Sequence, residues 1–118
     1  MQADDMKLRT KKFALNVMKL VRTIPKTNDG YVIARQLVRC GTSVGANYRA
    51  ACLARSTPDF VSKLGIVAEE ADESKYWMEL LTESGLCKRE EFADMMREAA
   101  ELTSIIIASI KTARFGNK

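Results

Sequence analysis

Apolar residues return every three or four positions in four separate stretches, and each stretch stops at a turn signal. The first covers about residues 8–24, where Phe13, Val17, Leu20, Val21 and Ile24 form one stripe and Lys11, Lys12, Lys19 and Arg22 take other positions. Such spacing predicts an amphipathic helix. Pro25 closes it, and the following Lys26, Thr27, Asn28, Asp29 and Gly30 are turn-forming residues. The second stretch, about 31–54, carries Ile33, Leu37, Cys40, Val44, Tyr48 and Ala51 on one face. Ser56 or Thr57 then offers a helix N-cap, with Pro58 in the first turn and Asp59 at the positive end of the dipole.

The third stretch, about 58–83, repeats Phe60, Leu64, Val67, Ala71, Ser74, Met78 and Leu81 in alternating steps of four and three, ending at Ser84 and Gly85. That alternation is a bundle seam, and glycine is the usual C-terminal stop. The fourth, about 89–114, has Glu90 and Glu91 at its start and Lys111 and Arg114 at its end, both matched to the helix dipole. Its inner face is Phe92, Met96, Ala99, Leu102 or Thr103, Ile106, Ile110 and Ala113, while Ile105 and Ile107 fall outside that stripe. Short connections make consecutive helices antiparallel neighbours. The expected fold is therefore all-α: a single-domain, up-down-up-down antiparallel four-helix bundle spanning residues 1–118. The first few residues and positions 115–118 are expected to be loose.

The second helix is crowded with small residues: Gly41, Thr42, Ser43, Gly45, Ala46, Ala50 and Ala51. A helical glycine costs about 1 kcal/mol relative to alanine, so two of them imply that another backbone approaches closely there. Asn47, polar in a helix interior, is expected to hydrogen-bond another helix.

These residues also carry a resemblance. Gln36, Leu37, Arg39, Thr42, Ser43, Val44, Ala46 and Asn47, then Asp59 and Phe60 opening the third helix, then Ala68 and Glu73 in an alanine-rich acidic helix, resemble the four-helix-bundle family associated with intervening sequences in bacterial 23S ribosomal RNA genes. The likeness runs over about residues 13–113. Many members carry Glu-Gly soon after the asparagine, where this chain has Arg49, Ala50 and Ala51, so no role of that glutamate carries over. The resemblance implies the bundle and a ring-like homo-oligomer, with pentamers typical. Related basic bundles that assist reverse transcriptases in diversity-generating retroelements point, by analogy, to contact with nucleic acid.

Composition removes several chemistries. The chain has 118 residues and no histidine, which excludes Ser-His-Asp and Cys-His catalysis and the Glu-x-x-His ligands of di-iron bundles. Three cysteines, Cys40, Cys52 and Cys87, lie far apart without a C-x-x-C pair, which argues against a zinc site or a disulfide scaffold. No apolar run reaches membrane-spanning length, and MQADDMKLRTKKF lacks the apolar core of a signal peptide. A cytoplasmic protein that uses no cofactor is expected.

Charge points to a partner. Residues 1–55 sum to +8 and residues 56–118 to −4. Such polarity suits a polyanion, or opposite faces of neighbouring subunits. Lys and Arg bind phosphate backbones through counterion release, and Lys11, Lys12, Lys19, Arg22, Arg39 and Arg49 are the candidate RNA or DNA contacts. Stacking aromatics are few, with Tyr31, Tyr48 and Tyr76 as candidates, so backbone contact is expected to outweigh sequence readout.

Two other readings stay open. Glu69, Glu70 and Glu73, followed by Glu91 and Asp94, resemble the E-E-x-x-E and E-x-x-D carboxylates of all-α nucleotide pyrophosphohydrolases, which implies a magnesium-dependent enzyme. Against it, Glu70 or Glu73 pairing with Arg35, Arg39 or Arg49 would fix helix register. A pure protein-interaction module would use the apolar fourth helix, with charge serving solubility, while Trp77, Ile105 and Ile107 are the expected contacts of a homo-oligomer. The preferred expectation is a non-enzymatic, basic, oligomeric bundle.

Overall fold

Four long helices account for nearly all of residues 3–116, the part of the chain described by this computed structural model. They are α1 (Ala3–Val21), α2 (Asn28–Cys52), α3 (Thr57–Glu83) and α4 (Arg89–Phe115). They lie side by side in a rod measuring 50 × 20 × 20 Å. Each helix packs against the next, and α1 closes back on α4. Among the described residues no strand is present.

Helix ends follow local chemistry. The Thr27 hydroxyl caps α2 by accepting from the Gly30 amide at 3.1 Å. Ser56 caps α3, accepting from Asp59 N at 3.2 Å, and Pro58 lies in the first turn, where its missing N–H has no helical partner to lose. Gly85 takes φ 86°, the left-handed geometry that stops α3. The α4 start is held by Glu91, which accepts from the Lys88 amide at 3.1 Å.

Two expectations about the ends change. The first helix begins at Ala3 instead of about residue 8, with Asp4 and Asp5 in its first turn and Met6 buried. Acidic residues there suit the positive end of the dipole. At the other end, Phe115 is the last residue of α4, so it is helical and not loose. The looseness expected of residues 1, 2, 117 and 118 lies outside the described residues.

The core is assembled from the predicted stripes. Phe13 and Val17 of α1 meet Leu37, Cys40 and Val44 of α2, Leu64, Val67 and Met78 of α3, and Phe92 and Leu102 of α4. The predicted α3 seam is buried from Leu64 to Leu81, with Ser74 included; its hydroxyl donates to Glu70 O at 2.8 Å. Tyr48 is packed inside. Burial, with the neighbouring Cys52, pushes its phenol up to about 12.

The small-residue face of α2 receives α1. A β-carbon on Gly41 would stand 3.0 Å from both Val17 methyls, so the two helices approach where the glycine leaves room. Asn47, in contrast to the expectation, stays within its own helix and donates Nδ2 to Ser43 O at 2.9 Å. An internal partner satisfies the side chain without a cross-helix contact.

The α1–α4 seam is the sparsest in the bundle. It is bridged by Arg9, whose Nε and Nη2 each donate to Glu98 at 2.8 Å, with a further contact to Glu101 at 3.0 Å. The fork-to-carboxylate geometry makes this a strong form of ion pair.

Candidate nucleic-acid interface

The antiparallel register of α1 and α2, set by Val17 against Gly41 and Thr10 against Gly45, decides which cations meet. Lys7, Lys11 and Ala14 of α1 come together with Thr42, Ala46 and Arg49 of α2 around a surface depression of about 310 Å3. Its floor is small: Ala14, Thr42, Gly45 and Ala46. Its rim is cationic: Lys7, Lys11 and Arg49. No carboxylate lines it.

The same seam opens again toward the α1–α2 turn. There Arg22 and Lys26 flank a second depression, of about 250 Å3, whose apolar wall includes Val21, Ile24, Pro25 and Tyr31, again without a carboxylate. Tyr31 is 64% exposed. Residues 7, 11, 14 and 21 follow one face of α1, with Arg22 just past its end, and 49, 46, 42, 34 and 31 follow one face of α2. Met18 and Val38 fall between the two depressions on those faces, and Met18 is exposed. The two openings thus lie along one α1–α2 groove line, with Met18 between them.

Among the described residues the ion pairs involve Arg9, Arg39, Lys63, Lys75 and Arg97. Lys7, Lys11, Arg22, Lys26 and Arg49 take part in none of them, so the groove keeps its positive charge uncompensated.

The six sequence candidates therefore separate. Lys11 and Arg49 are brought together, and Arg22 stands at the other end of the same groove. Lys19 is exposed on the outer surface of α1. Lys12 turns to the opposite side and lines the α1–α4 cleft beside Asp94 and Glu98. Arg39 is occupied: Nη1 donates to Glu70 at 3.0 Å, Nη2 binds Glu73, and Nε donates to Gln36 at 3.0 Å. With two carboxylates on one guanidinium, Arg39 ties α2 to α3 and offers no free positive charge. Lys7 and Lys26 are the groove cations that the candidate set omitted.

The carboxylates of the pyrophosphohydrolase pattern do not converge. Glu70 and Glu73 are held by Arg39. Glu91 caps α4, Asp94 is 95% exposed and pairs with Arg97 at 3.0 Å, and Glu69 faces solvent. Among the described residues no three acidic or thiol side chains form a group able to hold a metal ion.

Two of the three thiols, Cys40 and Cys87, are structural in character. Cys40 is buried, receives a 3.3 Å contact from the Ser74 hydroxyl, and burial pushes its thiol up. Cys87 is likewise raised by burial. A raised thiol makes a poor nucleophile.

The three apolar contact candidates differ in availability. Trp77 is half-buried on the core, donates Nε1 to Glu73 at 3.0 Å, and meets Tyr76 edge to face at 5.2 Å. Ile105 also packs partly on the core, whereas Ile107 is 43% exposed. Leu8, Leu15, Leu53, Ile66 and Tyr76 are further exposed apolar side chains. Among the described residues no helix is long and apolar enough to cross a membrane.

Comparison with known proteins agrees with this architecture. Residues 5–108 match the family model described as 23S rRNA-intervening sequence protein. A crystal structure of a protein of unknown function from the S23 ribosomal protein family of Bacteroides thetaiotaomicron VPI-5482 is 34% identical. It superposes with a TM-score of 0.86 over 95% of this chain and 100% of that one. No curated protein matches the chain significantly.

Proposed function

The chain belongs to the 23S rRNA-intervening sequence protein family, and from that premise we propose that it is a non-enzymatic, oligomeric accessory protein that grips the phosphate backbone of RNA or DNA. The observation that carries this reading is the convergence of Lys7, Lys11 and Arg49 on the α1–α2 seam with no carboxylate among the lining residues. Cations left unpaired by their own fold are available to neutralise phosphates, and each one so used releases a counterion. The reading is non-catalytic because the chain lacks histidine and its candidate metal ligands are dispersed or engaged. Its cytoplasmic setting is in keeping with three free cysteines.

Self-association is part of the proposal. The acidic second half and the exposed Ile66, Tyr76 and Ile107 supply a surface distinct from the basic seam. Contact between two different patches on successive subunits gives a ring when the rotation between them closes, and five subunits is the number the family resemblance implies. A protein partner could share that second surface.

Filter binding of a labelled oligonucleotide of arbitrary sequence, repeated across salt concentrations, tests the reading. Binding that is indifferent to sequence and falls linearly on logarithmic axes as salt rises is expected. Absence of binding at low salt overturns it. Sedimentation of the protein alone at micromolar concentration tests assembly, and a monomer there removes the ring.

A further inference from the structure

Resting on the backbone-binding reading, we infer that the α1–α2 groove is a path for an unpaired strand, with one base held against Tyr31 at the turn. The two cationic depressions lie along one seam. From Lys7 to Val21 the helical rise carries the groove about 21 Å. It is floored by Ala14, Thr42, Gly45 and Ala46 near one end and walled by Val21, Ile24 and Pro25 at the other.

A duplex and a single strand use such a surface differently. Both present phosphates, but only the single strand presents faces of bases to an apolar floor and an aromatic ring. Tyr31 is 64% exposed beside Arg22 and Lys26, so a ring and two cations stand at one opening. That opening, about 250 Å3, is smaller than the roughly 300–1,000 Å3 that enclose a drug-sized ligand, a size suited to a single ring. Stacking on an aromatic with cations tracking the backbone is the general solution for sequence-tolerant single-strand binding. If charge alone governed binding, a duplex, with its denser phosphates, would bind at least as well.

The test uses the full-length protein and RNA probes of about 12 nucleotides, within the roughly 4–16 of a single-strand site, either unpaired or as the blunt duplex. Tighter binding of the single strand is expected. Tyr31→Ala is expected to weaken it about tenfold, the order of one lost stack, and Tyr31→Phe to leave it unchanged. Both substitutions lie on an exposed side chain, and circular dichroism checks that the fold persists. Acetylation footprinting adds a positional readout: the single strand should protect Lys7, Lys11 and Lys26 but not Lys63, Lys75 or Lys88.

Equal or tighter duplex binding, or an inert Tyr31→Ala, overturns the single-strand path while backbone binding stands. Failure of both probes to bind overturns the path and the wider function together. Protection of the groove lysines without any RNA shows that a second copy covers the seam, and this also overturns the proposal.

Discussion

Gly45 of α2 lies so close to Thr10 of α1 that a β-carbon on the glycine would stand 3.1 Å from the threonine Oγ1 and 3.4 Å from its carbonyl carbon. The buried Thr10 hydroxyl is already committed to Met6 O at 2.8 Å. This contact, with its counterpart at Gly41 and Val17, sets the depth of the groove and the register that places Lys11 opposite Arg49.

Glycine substitutions separate packing from propensity. Gly65 of α3 has nothing within 4 Å of its virtual β-carbon, so Gly65→Ala should stabilise the protein by about 0.5–1 kcal/mol. Gly41→Ala gains the same propensity but forces the β-branched Val17 to move, and crowding of this kind costs about 1–3 kcal/mol. A net loss is expected. Urea unfolding midpoints of the two variants check the opposite signs.

The Arg9 bridge is the main polar closure of the α1–α4 seam. Arg9 and Glu98 expose about a quarter of their side-chain surface, 26% and 28%, so solvent screens them less than a fully exposed pair. A double-mutant cycle with Arg9→Ala and Glu98→Ala should return a coupling of about 1 kcal/mol. Thermal unfolding of the four proteins at low and high salt measures it, and the coupling should shrink as salt rises.

Arg39 is predicted to matter for structure and not for ligand. Its guanidinium is shared by Glu70 and Glu73. Arg39→Gln should therefore leave nucleic-acid affinity within about twofold and lower the unfolding midpoint only slightly, because solvent screens an exposed pair. Anisotropy titration beside a denaturation curve reads both numbers.

Alkaline pH should expose the buried phenol. Tyr48 holds its proton to about 12 in the folded protein, while an unfolded tyrosine loses it near 10. The unfolded chain binds fewer protons in that window, so stability is full below it and falls as pH rises, by about 1.4 kcal/mol per unit. Tyr48→Phe should show a flatter decline. Urea midpoints from pH 9 to 11 in reductant compare the two, about as high as intact protein permits.

The fold was legible because the chain repeats one signal four times. Phe13 to Val17, Leu37 to Val44, Leu64 to Leu81 and Phe92 to Ile106 all carry helical spacing, and Pro25, Pro58 and Gly85 mark the breaks. The early start of α1 was harder to read: Met6 and Thr10 continue the stripe at steps of four and three, but Thr10 is polar and its burial depends on Gly45. The basic half of the chain was equally legible as charge. The partnering of that charge was not, because Arg39 meets acids 31 and 34 residues downstream, a pairing fixed only when α2 packs on α3. Lys7 was missed for the same reason: its alignment with Arg49 exists only in the antiparallel register.

The most direct test of the account is the salt slope of oligonucleotide binding in two triple variants that remove the same charge. One replaces Lys7, Lys11 and Arg49 with alanine; the other replaces Lys63, Lys75 and Arg97, which already have acidic partners. Each neutralised phosphate contributes about 0.7 to the slope on a single strand, so losing three groove cations should flatten it by roughly 2. The second variant should keep the slope of the parent protein. Equal flattening in both, or none in the first, would contradict a groove that binds through its own unpaired cations.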